Sequence, residues 1–353
     1  MKLYGVIMAG GGGTRFWPLS RQKKPKQLLN ISGNGLMINE TIDRIVGIIG
    51  KENIFIVTHV SQADKMKACV GERIAEDHIL MEPLSRNTAA CIGYAAEVIT
   101  ERYGDGVMCI FPSDHFIKNL EEFTKVLRKA IEVASEQDKL VTIGIRPTYP
   151  STGYGYIHYT EETDQAFYEV DQFIEKPNLE TAKEYLERSG YAWNSGMFLW
   201  KASTILDNMK RFLPKLYHSL EELKECLGDE QELLRIYSGI PGISIDYGIL
   251  ERSDDVVVIP GDFGWSDVGS WDNLDAIYDE DDAGNIIRGE QINIETKNCI
   301  CYSDNRLIAT IGIEDIIVAE TEDAVLVCRK DQAQKVKEVV ELLKTKGLVR
   351  YLA

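Results

Sequence analysis

No aspartate or glutamate occurs between Met1 and Asn39, although the chain carries 56 acidic against 39 basic residues and a formal net charge of -17 at pH 7. Other absences narrow the class of protein. The seven cysteines (Cys69, Cys91, Cys109, Cys226, Cys299, Cys301 and Cys328) contain no C-x-x-C pair and are odd in number, which suggests neither a thiolate zinc site nor a closed disulfide framework. With no export signal, they read as reduced thiols of a cytoplasmic protein. The five histidines are scattered, so no imidazole metal site is suggested. No apolar run reaches membrane-spanning length, so no membrane partner is expected. The apolar core of "KLYGVIMAGG" is short and runs into glycines and Arg15, which reads as a buried strand rather than a signal peptide. The acidic excess argues against nucleic acid as a partner, because a polyanion would be repelled over most of the surface. A small anion held in one positive pocket is still allowed, since screening makes distant charge matter little.

At 353 residues the chain can bury a sizeable core without covalent staples. Its first part alternates strand and helix. "LYGVIMAG", "NIFIVT", "HILMEP", "GVMCIFPSDH" and "KLVTIGI" read as strands. "MINETIDRIVGII", "SQADKMKACVGERIA" (capped by Ser61), "NTAACIGYAAEVITERYG" (opened by Asn87 or Thr88) and "LEEFTKVLRKAIEVASEQ" read as helices. This alternation predicts an α/β, Rossmann-like domain with a mostly parallel sheet covered on both faces. From Ser151 the texture changes: "YGYIHY" and "FYEVDQFIEKP" read as strands around a turn, and "AWNSGMFLWKA" as a strand interrupted at Asn194 to Gly196. From Gly284, short strands separated by "SDN", "GIED" and "ETED" predict a small β-helix-like domain, closed by the helix "QAQKVKEVVELLKTKG". The expected domains are residues 1–285 and 286–353.

The acid-free stretch contains "MAGGGGTRFWPLSRQKKPKQLL", residues 8 to 29. Ligands of parallel α/β sheets bind at the carboxyl ends of strands, and this loop follows the first strand. Glycines let backbone N–H groups surround phosphate oxygens, Arg15 can fork onto phosphate, and Lys23, Lys24 and Lys26 can neutralise charge. A surface turn with solvated lysines is the alternative reading. Neither a Walker A loop nor the G-x-G-x-x-G fingerprint fits the spacing. "EPLSRNTAA" offers Glu82, a carboxylate able to accept guanine-edge N–H groups, with Asn87 and Thr88 at a helix N-terminus where backbone donors are free. "FPSDH" and "GWSDVGSW" supply Asp114 and Asp267, read singly as turn or cap residues and together as a magnesium pair. "TGYGYI" sets Gly153 and Gly155 around Tyr154. "FIEKP" sets Glu175 beside Lys176, either a surface ion pair or two groups brought to one site by a bulge or strand end. "WNSGMF" supplies Asn194, whose amide can serve a hydroxyl pair.

The composite of a glycine turn, Thr14-Arg15, Phe16-Trp17, Pro18-Leu19-Ser20 and Pro25-Lys26 resembles the signature of sugar-nucleotide pyrophosphorylases. Its "F-W-P-L-S" and "P-K-Q-L-L" form looks most like the mannose-1-phosphate guanylyltransferases. The resemblance covers nearly the whole chain and implies a nucleotidyltransferase domain that converts GTP and mannose 1-phosphate to GDP-mannose and pyrophosphate. It implies that Ala9, Gly10, Gly11, Gly12, Gly13 and Thr14 hold the nucleotide together with Glu82, Asn87 and Thr88. It further implies that Arg15, Lys26 and Lys176 are catalytic, that Gly153, Tyr154, Gly155, Glu175 and Asn194 bind the sugar, and that Asp114 and Asp267 hold Mg2+. "SIDYGILE", with Asp246 and Tyr247, is similar to a family segment near the sugar and receives no role. The chain stops after the closing helix, so no isomerase activity of the longer bifunctional relatives is expected. Strand edges of the β-domain lead to an expected homodimer.

Overall fold

The computed structural model describes residues 1–160 and 167–353. The strand-helix alternation appears as β1 (Leu3–Met8), α1 (Met37–Ile49), β2 (Ile54–His59), α2 (Ala63–Val70), β3 (Ile79–Glu82), α3 (Asn87–Tyr103), β4 (Val107–Pro112), β5 (Phe116–Ile117), α4 (Leu120–Glu136) and β6 (Leu140–Ile145). Next come β7 (Gly155–Tyr159), β8 (Tyr168–Glu175), α5 (Leu179–Glu187), β9 (Tyr191–Lys201), α6 (Ala202–Phe212), α7 (Pro214–Glu225), α8 (Glu230–Gly239), β10 (Val256–Gly261) and β11 (Trp265–Ser266). The chain ends with β12 (Ile286–Arg288), β13 (Gln291–Ile294), β14 (Ile300–Ser303), β15 (Ile308–Ile311), β16 (Ile316–Glu320), β17 (Val325–Arg329) and α9 (Val336–Thr345). The turn expected between β7 and β8 lies outside the described residues.

The residues form two compact units, each discontinuous in sequence. The first comprises Met1–Gly10, Ile42–Ser113 and Asn119–Phe263. Its sheet has the order β3-β2-β1-β4-β9-β6-β10-β8-β7. Strands β3, β2, β1 and β4 are parallel, as are β6 and β10, which is what the helical crossovers between them require. The remainder departs from the mostly parallel expectation. Strand β9 enters antiparallel between β4 and β6, β7 and β8 pair antiparallel, and β8 pairs antiparallel with β10, so the sheet as a whole is mixed. Strand β9 spans Tyr191–Lys201, and the irregularity falls on it where the sequence places the interruption: Asn194 pairs with Gly144 and Phe198 with Thr142, which leaves two extra residues on β9, and Gly196 takes φ 70°.

Helix α4 forms because Phe123, Val126, Leu127, Ala130, Val133 and Ala134 repeat with helical spacing and are buried, while the Asn119 side chain accepts from the Glu122 N–H. In α3 every residue from Ala89 to Ile99 is buried, consistent with its run of small and apolar side chains. Ser61 does not cap α2, which starts two residues later; its N–H is bonded to the His59 ring in a preceding 3-10 turn.

The second unit comprises Gly11–Thr41, Asp114–Lys118 and Gly264–Ala353. From β12 to β16 successive strands alternate between two sheets, β12-β14-β16-β17 and β13-β15, and β17 then pairs antiparallel with β16. Parallel register stacks Ile286, Ile300 and Ile317 one above another, and all three are buried. Coils repeating this way give a β-helix, as the spaced turns predict. Phe16, Trp17, Leu29, Trp271 and the α9 residues Val336 and Val340 complete the same core.

Candidate active site

Within the second unit, the end of the glycine run is locked to the lysine that follows it. Gly13 has φ 57°, and a Cβ there would lie 2.3 Å from the Cβ of Lys26. Both the backbone conformation and the close approach require glycine. Its carbonyl accepts the Ser20 hydroxyl at 2.7 Å. Gly11, Gly12 and Thr14 are exposed, and an added Cβ at Gly11 would meet nothing within 4 Å, so this backbone is open for a ligand to approach. Arg15 is exposed and has no ion pair among the described residues.

Lys26 is only 5% exposed. Its Nζ lies 2.9 Å from Asp114 Oδ2 and donates to the Asp267 carbonyl at 2.5 Å. The structure thus brings together three sequence-predicted residues, Lys26, Asp114 and Asp267. Burial acting alone would raise the Asp114 pKa, but the Lys26 ammonium and the neighbouring His115 outweigh it and hold the carboxyl below its ordinary value. Asp267 Oδ1 accepts the Gly269 N–H at 3.0 Å across Val268, whose φ of 46° is rare for a β-branched residue. Such strain persists where surrounding structure enforces it, commonly at functional sites.

No group of three or more His, Cys, Asp or Glu side chains suited to a metal occurs among the described residues. Magnesium rarely needs one, because it takes one or two carboxylates and completes its shell with waters and substrate phosphates. The chemistry of Asp114 and Asp267 fits that role, two carboxylates flanking one lysine: the Asp114 carboxylate faces the Lys26 ammonium, and the Asp267 backbone carbonyl accepts from the same ammonium.

The first unit holds the other predicted residues. Ala9 is buried, its N–H bonded to Val57 and its carbonyl to the Thr58 hydroxyl, so it anchors the start of the loop and keeps no N–H for a ligand. Gly10 is exposed at the end of this segment. Asn87 has φ 68°, and its Oδ1 accepts the Thr88 N–H. The Ala89 N–H donates to Ile243, and Thr88 Oγ1 accepts from the Ile245 N–H at 2.8 Å. The expectation of free donors at this helix start therefore fails for Thr88 and Ala89, because segment 243–245 and the Asn87 side chain consume them.

Glu82 also departs from expectation. It is 6% exposed, and the Tyr237 hydroxyl donates to its Oε1 at 3.4 Å, so the carboxyl faces the core rather than a ligand. Burial pushes its pKa up to about 7, against a small opposing pull from Tyr237. The folded carboxyl holds its proton more tightly than an unfolded one. Its stabilising contribution is complete below about pH 4.5 and is lost as pH rises through about 7. Glu82→Gln, which keeps the shape and an acceptor for Tyr237, should therefore melt at higher temperature than the parent at pH 8, by the equivalent of roughly 3 kcal/mol. The two proteins should converge near pH 5. Equal melting curves at both pH values would show that no buried charge is being relieved.

Glu175, Lys176, Gly155 and Asn194 converge. A Cβ at Gly155 would lie 2.4 Å from Glu175 Oε2 and 3.3 Å from the Asn194 Cβ, so glycine is needed for this approach. Lys176 follows β8 with φ 51°, and this turn of the backbone brings its Nζ onto Glu175 Oε1. The two adjacent residues thus form an ion pair at the strand end, with the Lys176 side chain exposed and the Glu175 side chain largely buried. The Lys176 N–H donates to the Tyr154 carbonyl, and the Tyr154 ring packs edge-on to Trp193. Gly153 donates its N–H to Ser151 Oγ in the preceding turn.

Sequence reasoning left Asp246 without a role and missed two further participants, Arg86 and Tyr237. Asp246 accepts from Asn194 Nδ2 at 2.9 Å. Burial first, and Glu175 second, push the Asp246 pKa up to about 6. Arg86 clamps the carbonyls of Tyr237 and Ser238. "SIDYGILE" and "EPLSRNTAA" contained the signal for Asp246 and Arg86, whereas nothing in the sequence pointed to Tyr237.

Known proteins resemble the chain over nearly its whole length. A nucleotidyl transferase family model matches residues 4–283, and a MannoseP isomerase/GMP-like beta-helix domain model matches residues 289–343. The mannose-1-phosphate guanylyltransferase of Escherichia coli strain K12 is 39% identical, over 98% of this chain and 74% of that protein. The xanthan biosynthesis protein XanB of Xanthomonas campestris pv. campestris strain B100 is 40% identical, over 97% of this chain and 73% of its own length. A crystal structure from Thermus thermophilus, described as a mannose-1-phosphate geranyltransferase, superposes with TM-score 0.89 at 34% identity, covering 98% of this chain and 100% of that one. The chain belongs to the nucleotidyl transferase family.

Proposed function

We propose that this protein is a mannose-1-phosphate guanylyltransferase, transferring GMP from GTP to α-D-mannose 1-phosphate to give GDP-mannose and pyrophosphate. The observation that carries the reading is the Lys26-held pair Asp114 and Asp267, in a chain about 40% identical over nearly its full length to proteins of that kind. Asp114 and Asp267 would hold Mg2+, which when bound supplies neutralisation of phosphate charge. The exposed backbone of Gly10 to Thr14 and the Arg15 guanidinium would receive the nucleotide phosphates. Asn87 and Thr88 would border the base, with Glu82 supporting that segment from beneath. Glu175 and Asn194 would take sugar hydroxyls, against the backbone of Gly153 to Gly155, and Lys176 would meet the sugar phosphate. An oxygen of that phosphate attacks the α-phosphorus of GTP in line. The new P–O bond forms as the bond to the β-phosphate oxygen breaks, and pyrophosphate leaves with the electron pair. The attacking group is already ionised, so no general base is needed. The protein's task is to bring two anions together, which the cations Arg15, Lys26 and Lys176 serve.

The test is pyrophosphate release with GTP, ATP, UTP, CTP and dTTP crossed against mannose, glucose and galactose 1-phosphates, with and without magnesium. Magnesium-dependent release confined to GTP with mannose 1-phosphate is expected. Release with another pair would refute the assigned specificity, and release with none would refute the enzyme reading.

We assign residues 1–285 to catalysis and residues 286–353 to the β-domain, place the protein in the cytoplasm, and expect a homodimer. Ile292, Ile294 and Ile311 lie more than half exposed on the paired strands β13 and β15, an apolar strip suited to burial against a second copy. A monomer mass by light scattering at micromolar concentration would count against the dimer. Among the described residues no helix is long and apolar enough to cross a membrane.

A further inference from the structure

Residues 237–246 form a hydrogen-bonded bridge within the first unit. At one end Arg86 holds the carbonyls of Tyr237 and Ser238, Ala89 donates to Ile243, and Thr88 Oγ1 accepts from Ile245. The next residue, Asp246, opens a five-residue π-helical turn, Asp246–Leu250. Such turns are rare and recur at functional sites. Asp246 Oδ1 then accepts from Asn194 Nδ2 at 2.9 Å, while Asn194 Oδ1 accepts the Gly196 N–H at 3.1 Å. The amide is therefore held in one orientation. Flipping it would set its NH2 against the Gly196 N–H and its carbonyl against a carboxylate. The charged groups acting on Asp246 are Glu175 and Lys176 at the end of β8.

We propose that Asp246 is a positioning residue for the sugar: it locks the Asn194 amide for hydroxyl recognition and, through Ile245 and Thr88, ties that amide to the segment bordering the base. This rests on the reading of Asn194 as a sugar-binding residue. It adds a carboxylate that acts through Asn194 and requires no direct contact of its own with the sugar.

The experiment is steady-state kinetics of Asn194→Ala, Asp246→Ala, Asp246→Asn and the double alanine variant, varying each substrate in turn. Asp246→Ala should raise KM for mannose 1-phosphate by about tenfold, as expected for the loss of one orienting hydrogen bond, with KM for GTP within about twofold. Asp246→Asn, which still offers an acceptor, should recover most of that loss. The double variant should be no worse than Asn194→Ala alone, because the two act as one unit. If Asn194→Ala raises this KM but Asp246→Ala does not, or if their effects add, the proposal is overturned and the sugar assignment stands. If Asn194→Ala leaves KM unchanged, the sugar assignment itself fails. Should Asp246→Ala not fold, the exchange Asn194→Asp with Asp246→Asn decides the matter. Asn194→Asp alone sets two carboxylates face to face, and adding Asp246→Asn should restore affinity by reversing the donor and acceptor. Absence of that rescue would overturn the proposal.

Discussion

Asp114→Ala is expected to abolish magnesium-dependent pyrophosphate release, with kcat falling by roughly a thousandfold or more, the scale seen when a group stabilising transition-state charge is lost. Two effects combine. One metal-holding carboxylate disappears, and Lys26 loses its anion. The Lys26 side chain is 7% exposed and lies 2.9 Å from Asp114 Oδ2, so its ammonium would be left buried against the neutral Asp267 carbonyl. About a third of the Asp114 side chain is open to water, which keeps the stability loss below that of a fully buried pair, at roughly 2 kcal/mol. Asp114→Asn separates the effects: it keeps the shape and one acceptor for Lys26 but removes the charge. It should melt close to the parent and still be nearly inactive. More than about a tenth of parental kcat in Asp114→Asn would be incompatible with a required metal carboxylate.

Gly13→Ala should damage both folding and turnover. Alanine would have to adopt φ 57° and place its methyl 2.3 Å from the Lys26 Cβ and 3.0 Å from the Lys26 backbone nitrogen. The flexible end of a side chain could move aside, but backbone cannot do so cheaply. Either the loop or Lys26 must shift, which would disturb the contacts to Asp114 and Asp267. A loss of about 2–4 kcal/mol in stability is expected, together with at least a tenfold fall in kcat. Gly12→Ala is the contrast, because its added Cβ would meet only Thr14 Cγ2 at an ordinary 3.7 Å. That variant should melt within about 0.5 kcal/mol of the parent and raise KM for GTP by crowding an approaching phosphate. Equal behaviour of the two variants, in melting and in kinetics, would show that the Gly13–Lys26 contact does not organise the loop.

The remaining departures from the sequence reading share a cause. Helix α4 was legible because its burial follows a short period along the chain, and the β-domain because turn signals recur between its short strands. The Lys176 turn was legible only as a choice, because alternation along a strand forbids Glu175 and Lys176 one common side without a break, and its form had to be observed. The antiparallel entry of β9 between β4 and β6 carries no local mark, since an apolar strand reads alike in either direction.

By itself, the sequence determined the glycine-rich loop, the strand-helix order, the coiled β-domain, and the family's motif residues, because each depends on neighbours close in the chain. Only the tertiary structure decided what those residues touch. Glu82 turns inward to Tyr237 across a separation of 155 residues, the Ile245 N–H donates to the Thr88 hydroxyl oxygen across 157, and Asp246 accepts from Asn194 across 52. Contacts that distant cost chain entropy that no local pattern offsets; they exist because the packing of the whole sheet and its helices brings their ends together.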